Sequence, residues 1–492
     1  MPTHDVVLRG ARTLDPETAL DEVCDVALLG GRISAVTVGG DRTLQGRVDL
    51  SVTGHVLAPG FIDLHSHCRD LPSRWLQVCD GVTTALELEA GELDVDHVYR
   101  ACAAEGQPNH YGFSASWALA RMAACGLDVT TGGDDAFFEH IDAPTWHRAM
   151  SADQRSHMRD ALHRDLAEGA LGIGILLGYC VESEAAEYLD VAALAAQLGV
   201  PTFTHVRELD RPDGGLMGAA EVVTAALATG AHMHLCHINS TSLREVDRAH
   251  ALLDRARQQG LRVTTEAYPY GAGCTGIGAG FLDPDFLSHL GLTSSDIRVL
   301  STGERPASDE RLAELRAADP GALVVIDLLR EADPDDLGFL TRALLADDTA
   351  VASDAMPLVP ASGAQTELHW PELSGAMTHP RTAGTFSRVM RWYVRELGIL
   401  SLGEAVRRCT LVPADILRDV APAMALKGRV QVGADADLVV FDPDSITDRA
   451  TYEDPTRTSD GIRHVLVDGE FVVRDGVLDT EARPGRPVRG SA

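Results

Sequence analysis

Short apolar runs recur through the middle of the chain, and each is followed by an Ala-, Leu- and Arg-rich stretch with helical spacing. This alternation is the pattern of βα units, because a parallel strand is buried on both faces and reads as an unbroken apolar run. The runs are VLAPGFIDLH, GVTTALELE, NHYGFSAS, GALGIGILL, VPTFTHV, AHMHLCHI, RVTTEAYPY and DTAVASDA. These eight predict an α/β chain with a closed (β/α)8 TIM barrel. The ends follow a different rule. DVVLRG and DVALLGGRISAV near the start, and RVQVGADADLVVFD and GIRHVLVDGEFVVRDG near the end, are short strands broken by glycine turns, Gly30-Gly31 forming one hairpin. The two ends are therefore expected to pair into one small β-sandwich. The predicted organisation is sandwich for 1–57, barrel for 58–425 and sandwich again for 426–492. Within the barrel, the Asp-, Glu- and Pro-rich stretch at about 282–346 is too long for one βα connection and predicts an insertion near the barrel mouth.

At 492 residues the chain has room for a barrel-sized core and an accessory domain. Its formal charge of −31 argues against nucleic acid or an anionic membrane as partner, since a phosphate binder needs a clustered basic face. No run is long and apolar enough to span a bilayer, and Met1 to Gly10 lacks the basic-then-apolar layout of a signal peptide. The expectation is a cytoplasmic enzyme, monomer or small homo-oligomer, acting on a small-molecule substrate. The nine cysteines are scattered without a CxxC pair, which argues against a disulfide framework or a structural zinc site. Lys427 is the only lysine, and it lies outside the barrel runs.

Candidate chemistry gathers at the C-terminal ends of the runs, the rim where barrel enzymes collect their reactive groups. His65 and His67 in FIDLHSH are two apart, so both imidazoles lie on one side of a strand. His205 closes VPTFTH and His237 closes AHMHLCH. His232 and His234 sit in the body of the same run, facing neighbouring helices or the interior. Asp354 closes the last run in VASDA, where an acid after an apolar stretch needs a partner. Four imidazoles and a carboxylate suit zinc (Zn2+) or a similar divalent ion, one or two of them. A pair of ions also needs a bridging anion. GALGIGILLG offers no ligand and the lone lysine is elsewhere, but GVTTALELEAG presents Glu87 and Glu89 on one face. Glu89, nearer the C-terminal end of its strand, is the expected bridge, with Glu87 as the alternative.

With these residues in place the chain resembles the N-acyl-D-amino-acid deacylases (D-aminoacylases) of the amidohydrolase superfamily, and within them the D-glutamate deacylase group. The resemblance is carried by APGFIDLHSH, GVTTALELEAG, EGALGIGI, PTFTHVR, HLCHINSTSLR, TTEAYPYGAG, ASDAMP, HPRTAGTFSRV and GADADLVVFDP. It implies a (β/α)8 barrel with a β-sandwich from both termini, a zinc-type centre and hydrolysis of an N-acyl-D-amino acid. It also implies His65, His67, His205 and His237 as ligands and Asp354 as both ligand and general acid/base. Tyr268 and Arg381 match substrate-binding positions, the arginine forking onto a carboxylate. The chain departs from typical members in two places. EAG stands where they carry the bridging cysteine of a GNCG motif, and Asn239, also a candidate substrate-binding residue, stands where they carry a lysine. Arg207, two beyond His205, and Arg121, read as ending an early strand in SWALARM, are candidates to hold a second substrate carboxylate. A structural ion pair is the competing assignment for each.

The expected reaction is hydrolysis of the acyl amide, with N-acyl-D-glutamate as the leading substrate. Metal-activated water attacks, while Asp354 takes a proton from the nucleophile and hands it to the departing amine. A cyclic amide hydrolase of the hydantoinase or dihydroorotase type is the nearest alternative, since only the pocket would differ. Ring deamination fits less well, because it needs neither the bridge nor the terminal domain. A catalytically dead binding protein of the same fold would have lost ligand residues, and this chain has not.

Overall fold

The computed structural model describes residues 3–130, 132–180, 182–207, 214–362 and 368–491. Its central sheet has eight parallel strands: β1 (Phe61–Asp63), β2 (Val82–Glu92), β3 (His110–Ser116), β4 (Ile173–Leu176), β5 (Pro201–His205), β6 (His232–Leu235), β7 (Val263–Ala267) and β8 (Thr349–Val351). They lie side by side in chain order, as repeated right-handed βα connections require. β2 is buried along its whole length, which is why its sequence is apolar apart from its acids.

The seam between β8 and β1 is closed by polar contacts instead of a strand ladder. Asp63 accepts a hydrogen bond from the Ser353 amide at 2.9 Å and another from the Ser353 hydroxyl, and the His67 amide donates to the Ala355 carbonyl at 2.8 Å. Burial pushes the Asp63 carboxyl up to about 7.

The termini form one hydrogen-bonded sheet of nine strands. Its first strand, His4–Asp15, pairs with Gly46–Ser51 along its first half and with Val56–Pro59 further on. The changeover falls at a bulge beside Gly10, whose φ of 73° suits glycine. The two layers expected of a sandwich are thus branches of a single sheet. Val56–Pro59 then pairs with Leu438–Phe441, which joins the first strands to the last. Along Leu438–Phe441 the residues alternate between two cores. Leu438 and Val440 pack with Val26, Ile33 and Leu466 in the terminal domain, while Val439 and Phe441 pack with Phe61 of the barrel.

Lys427 is buried at this junction, with Nζ 2.5 Å from Asp437 and 2.9 Å from Asp435, and Asp437 also meets His110 Nε2 at 2.9 Å. The C-terminal tail runs beneath the barrel: the Val488 amide donates to the Tyr111 carbonyl at 2.7 Å. The Val488 side chain packs with Leu86, Leu171 and Phe203 and closes the barrel floor.

Between β7 and β8 the chain builds a three-stranded antiparallel sheet from Ala272–Gly276, Ile297–Val299 and Leu323–Asp327. This insertion begins earlier than the 282 read from sequence, because AGCTG is made of small residues that carry no apolar signal. It also ends earlier, since helix Pro334–Leu345 packs back on β8 as a barrel helix. No described helix is long and apolar enough to cross a membrane.

Candidate metal centre and substrate cavity

Six of the residues picked out in the sequence meet at the C-terminal rim of the barrel. His65 and His67 follow β1, Glu89 lies in β2, His205 ends β5, and His237 and Asp354 follow β6 and β8. His237 and Asp354 have positive φ, 31° and 52°, so the chain turns sharply as it leaves each strand. Glu89 is the centre of the cluster. Its Oε1 lies 2.6 Å from His237 Nε2 and 3.0 Å from His205 Nδ1, and its Oε2 lies 3.2 Å from His65 Nε2 and 3.8 Å from His67 Nε2. Asp354 Oδ1 is 3.5 Å from the Nε2 atoms of both His65 and His67. Two donor triangles therefore share one carboxylate: His65, His67 and Glu89, and Glu89, His205 and His237.

All six side chains are buried. Burial opposes a charge on His65, yet Glu89, Asp354 and Glu266 outweigh it and hold the imidazole well above its ordinary value. Burial also opposes an ionised Glu89, but His65, His237 and His205 keep it well below the usual carboxylate range. The buried carboxylate of Glu89 is thus held in its charged form by the imidazoles around it. His205 Nε2 is buried without a hydrogen-bond partner among the described residues. Imidazole nitrogens and carboxylate oxygens at these spacings fit one or two zinc-type ions. Lysine has no part in the cluster, because Lys427 is held at the terminal domain.

A further layer of polar groups holds the imidazoles from behind. Glu266 of β7 sits 2.6 Å from His65 Nδ1, with its other oxygen 3.3 Å from His234 Nε2. Glu87 sits 2.7 Å from His67 Nδ1 and also accepts from the Ala90 amide at 3.1 Å. Ser240 Oγ is 3.0 Å from His237 Nδ1. Such contacts fix the tautomer and orientation of a metal-binding imidazole. Glu87, the alternative bridge, therefore stands behind His67 and not between the histidines. His234 points into the barrel interior, and His232 is 2.9 Å from the Thr264 hydroxyl. Glu266 and Ser240 were missed in the sequence, although Glu266 carries the same signal as Glu89, an acid inside an apolar run.

The substrate-side candidates divide. Arg381 lies 2.8 Å from Asp354 and 4.6 Å over the Tyr268 ring, and Tyr268 lines the cavity in front of the cluster. Asn239 lies on helix Ile238–Ser242, and its Oδ1 accepts from the Tyr268 amide at 3.2 Å. It steadies Tyr268 instead of facing the cavity. Arg207 pairs with Glu221 at 2.8 Å and donates to the Ser183 carbonyl at 2.7 Å. β5 ends at His205, so the strand alternation that aimed Arg207 inward no longer applies. Arg121 is not at a strand end. Ser116 caps helix Trp117–Ala124, and there Arg121 is buried against Glu187 and the Trp146 carbonyl.

The cavity is walled by helix Gly133–Glu139, which follows β3, and by the inserted sheet. Asp134 was also missed in the sequence. It lines this cavity with Oδ1 3.7 Å from His67 Nδ1.

Residues 114–473 match the amidohydrolase family. The chain belongs to this family. An amidohydrolase of this kind is a hydrolase acting on carbon–nitrogen bonds other than peptide bonds. Among its relatives, the N-acyl-D-glutamate deacylase of Alcaligenes xylosoxydans xylosoxydans is 29% identical, over 99% of this chain and 97% of that one. The N-acyl-D-aspartate deacylase of the same organism is 28% identical, over 98% and 94%. A solved structure of N-acyl-D-glutamate deacylase from Bordetella bronchiseptica, complexed with zinc and a phosphonate inhibitor, superposes with a TM-score of 0.79. It is 26% identical and covers 99% of each chain.

Proposed function

We propose that this amidohydrolase removes the acyl group from N-acyl-D-amino acids with the help of bound zinc. The observation that carries the proposal is the convergence of His65, His67, His205, His237 and Asp354 on Glu89 at the barrel mouth. Bound there, divalent ions would supply an activated water and polarise the substrate carbonyl. Glu89 would be the shared ligand, with Glu87 and Glu266 fixing the rings of His67 and His65. Asp354 touches both first-strand histidines and carries the proton between nucleophile and departing amine, since an amine leaves poorly unless protonated. Arg381, buried against the Tyr268 ring and Asp354, is the candidate cation for the α-carboxylate of the substrate, reached past Tyr268. Zinc and the D configuration are taken from the relatives, because no distance in this cluster distinguishes D from L. N-acyl-D-glutamate has support from the relatives alone, since Arg207 and Arg121 are paired elsewhere.

The test is a zinc-loaded preparation assayed with N-acetyl-D- and N-acetyl-L-amino acids, dihydroorotate and hydantoin. Turnover of acetylated D-amino acids, lost on chelation and restored by zinc, supports the proposal. Preference for L isomers, or turnover of the cyclic amides alone, overturns it.

A further inference from the structure

We infer that the part of the substrate lying away from the reacting amide is apolar, and that the cavity walls select against a second carboxylate. This rests on the deacylase reading above and adds the class of group the site accepts. Three observations carry it. Phe137 and Phe138 of helix Gly133–Glu139, Phe281 and Leu290 from the inserted segment, and Ile326 and Leu328 at the end of its third strand all line the cavity. They come from separate parts of the chain, and apolar side chains brought together around a reactive centre complement an apolar group. Secondly, no arginine or lysine among the described residues lines this cavity. The two arginines that the sequence offers for a second carboxylate, Arg207 and Arg121, are ion-paired to Glu221 and Glu187, and Arg381 is the candidate for the α-carboxylate. Thirdly, Asp134 faces the cavity at 8% exposure, and its Oδ2 has no hydrogen-bond partner among the described residues. A carboxyl group cannot neutralise a second carboxylate beside it. A glutamate side chain would therefore be buried without a counter-charge, whereas an apolar group gains by leaving water.

The apolar group is either the amino-acid side chain or the acyl chain, and two substrate series separate them. One holds the acyl group as acetyl and varies the residue among D-alanine, D-leucine, D-phenylalanine and D-glutamate. The other compares N-octanoyl- with N-acetyl-D-alanine. On the zinc-loaded enzyme, at least one apolar extension should raise kcat/KM over N-acetyl-D-alanine by about 10- to 100-fold, the range for burying one large apolar side chain. N-acetyl-D-glutamate should be at least about tenfold poorer than the best apolar substrate, by the same argument. Leu328→Arg, at a partly exposed wall position, places a cation in the cavity and should shift that ratio toward D-glutamate by about tenfold or more. N-acetyl-D-glutamate matching or exceeding every apolar substrate would overturn the inference and leave the deacylase reading intact. An unchanged ratio in a Leu328→Arg protein with wild-type zinc content would also overturn it. No turnover of any member of either series would overturn both readings together.

Discussion

Glu89→Gln should cost this protein far more metal affinity than Glu87→Gln, although the two acids lie two residues apart on one strand. Glutamine keeps the volume and removes the charge. At position 89 that charge is approached by four imidazoles, at 2.6, 3.0, 3.2 and 3.8 Å. Removing one partner of a buried charged pair typically costs about 3–5 kcal/mol, which corresponds to roughly 10²- to 10⁴-fold in affinity. At position 87 the acid meets one imidazole, at the far nitrogen of His67, 2.7 Å away, besides the Ala90 amide, and loss of such an outer partner typically costs about 10- to 100-fold. The assay equilibrates each variant in zinc buffers of known free concentration and measures bound zinc by atomic emission, with near-ultraviolet circular dichroism to confirm the native fold. Half-saturation should move far for Glu89→Gln and modestly for Glu87→Gln. The reasoning fails if the order is reversed, or if folded Glu89→Gln holds zinc as tightly as the wild type.

Asp354→Asn should lower turnover by about 10²-fold or more while most zinc is retained; asparagine tolerates the φ of 52° at this position, so a fully metallated variant with near wild-type kcat would refute the proton-transfer role. Lys427→Met removes the buried ammonium from Asp437, which keeps only His110, and from half-buried Asp435, which keeps Arg32, and should destabilise the fold by about 3 kcal/mol. A denaturation midpoint like that of the wild type would show that the junction does not depend on this charge. Val488→Ala opens a space in the barrel floor and should cost about 2 kcal/mol in stability with kcat unchanged, whereas a loss of activity without a loss of stability would contradict a purely structural role for the tail.

The barrel was legible because each of its strands is buried on both faces and stands out as an apolar run. The terminal sheet was legible for another reason, its alternating strands and glycine turns. The inserted sheet escaped in part because it does not need either pattern. Ala272–Gly276 is held by pairing with Leu323–Asp327, so small residues suffice there, and the apolar signal sits on the partner strand. SWALARM was misread for a related reason. β3 and helix Trp117–Ala124 join without a gap, and the only mark of the change is the Ser116 hydroxyl accepting from the Leu119 amide at 3.2 Å.

At the site, legibility follows whether a residue's position is set by its own strand. Glu89 and His205 lie in their strands, which aim them at the rim, and His65 and His67 come directly after β1. Glu266, Asp63 and Asp134 are placed by residues far away in the chain. Glu266 matters because His65, two hundred and one positions earlier, points its Nδ1 at it. Asp63 matters because Ser353 arrives across the seam. Their sequence signal, an acid within or beside an apolar run, is the same one that marked Glu89, but it does not say whether the acid faces a metal, a histidine or another strand. The arginines show the reverse error. Arg207 and Arg121 were candidates for a second carboxylate because strand position seemed to aim them inward, with a structural ion pair as the competing assignment, and in this acidic chain the ion pairs form, to Glu221 and Glu187. The same abundance of acids makes a cavity whose described lining has a carboxylate oxygen without a hydrogen-bond partner, on Asp134, and neither arginine nor lysine a stronger guide to the substrate than any single arginine in the sequence.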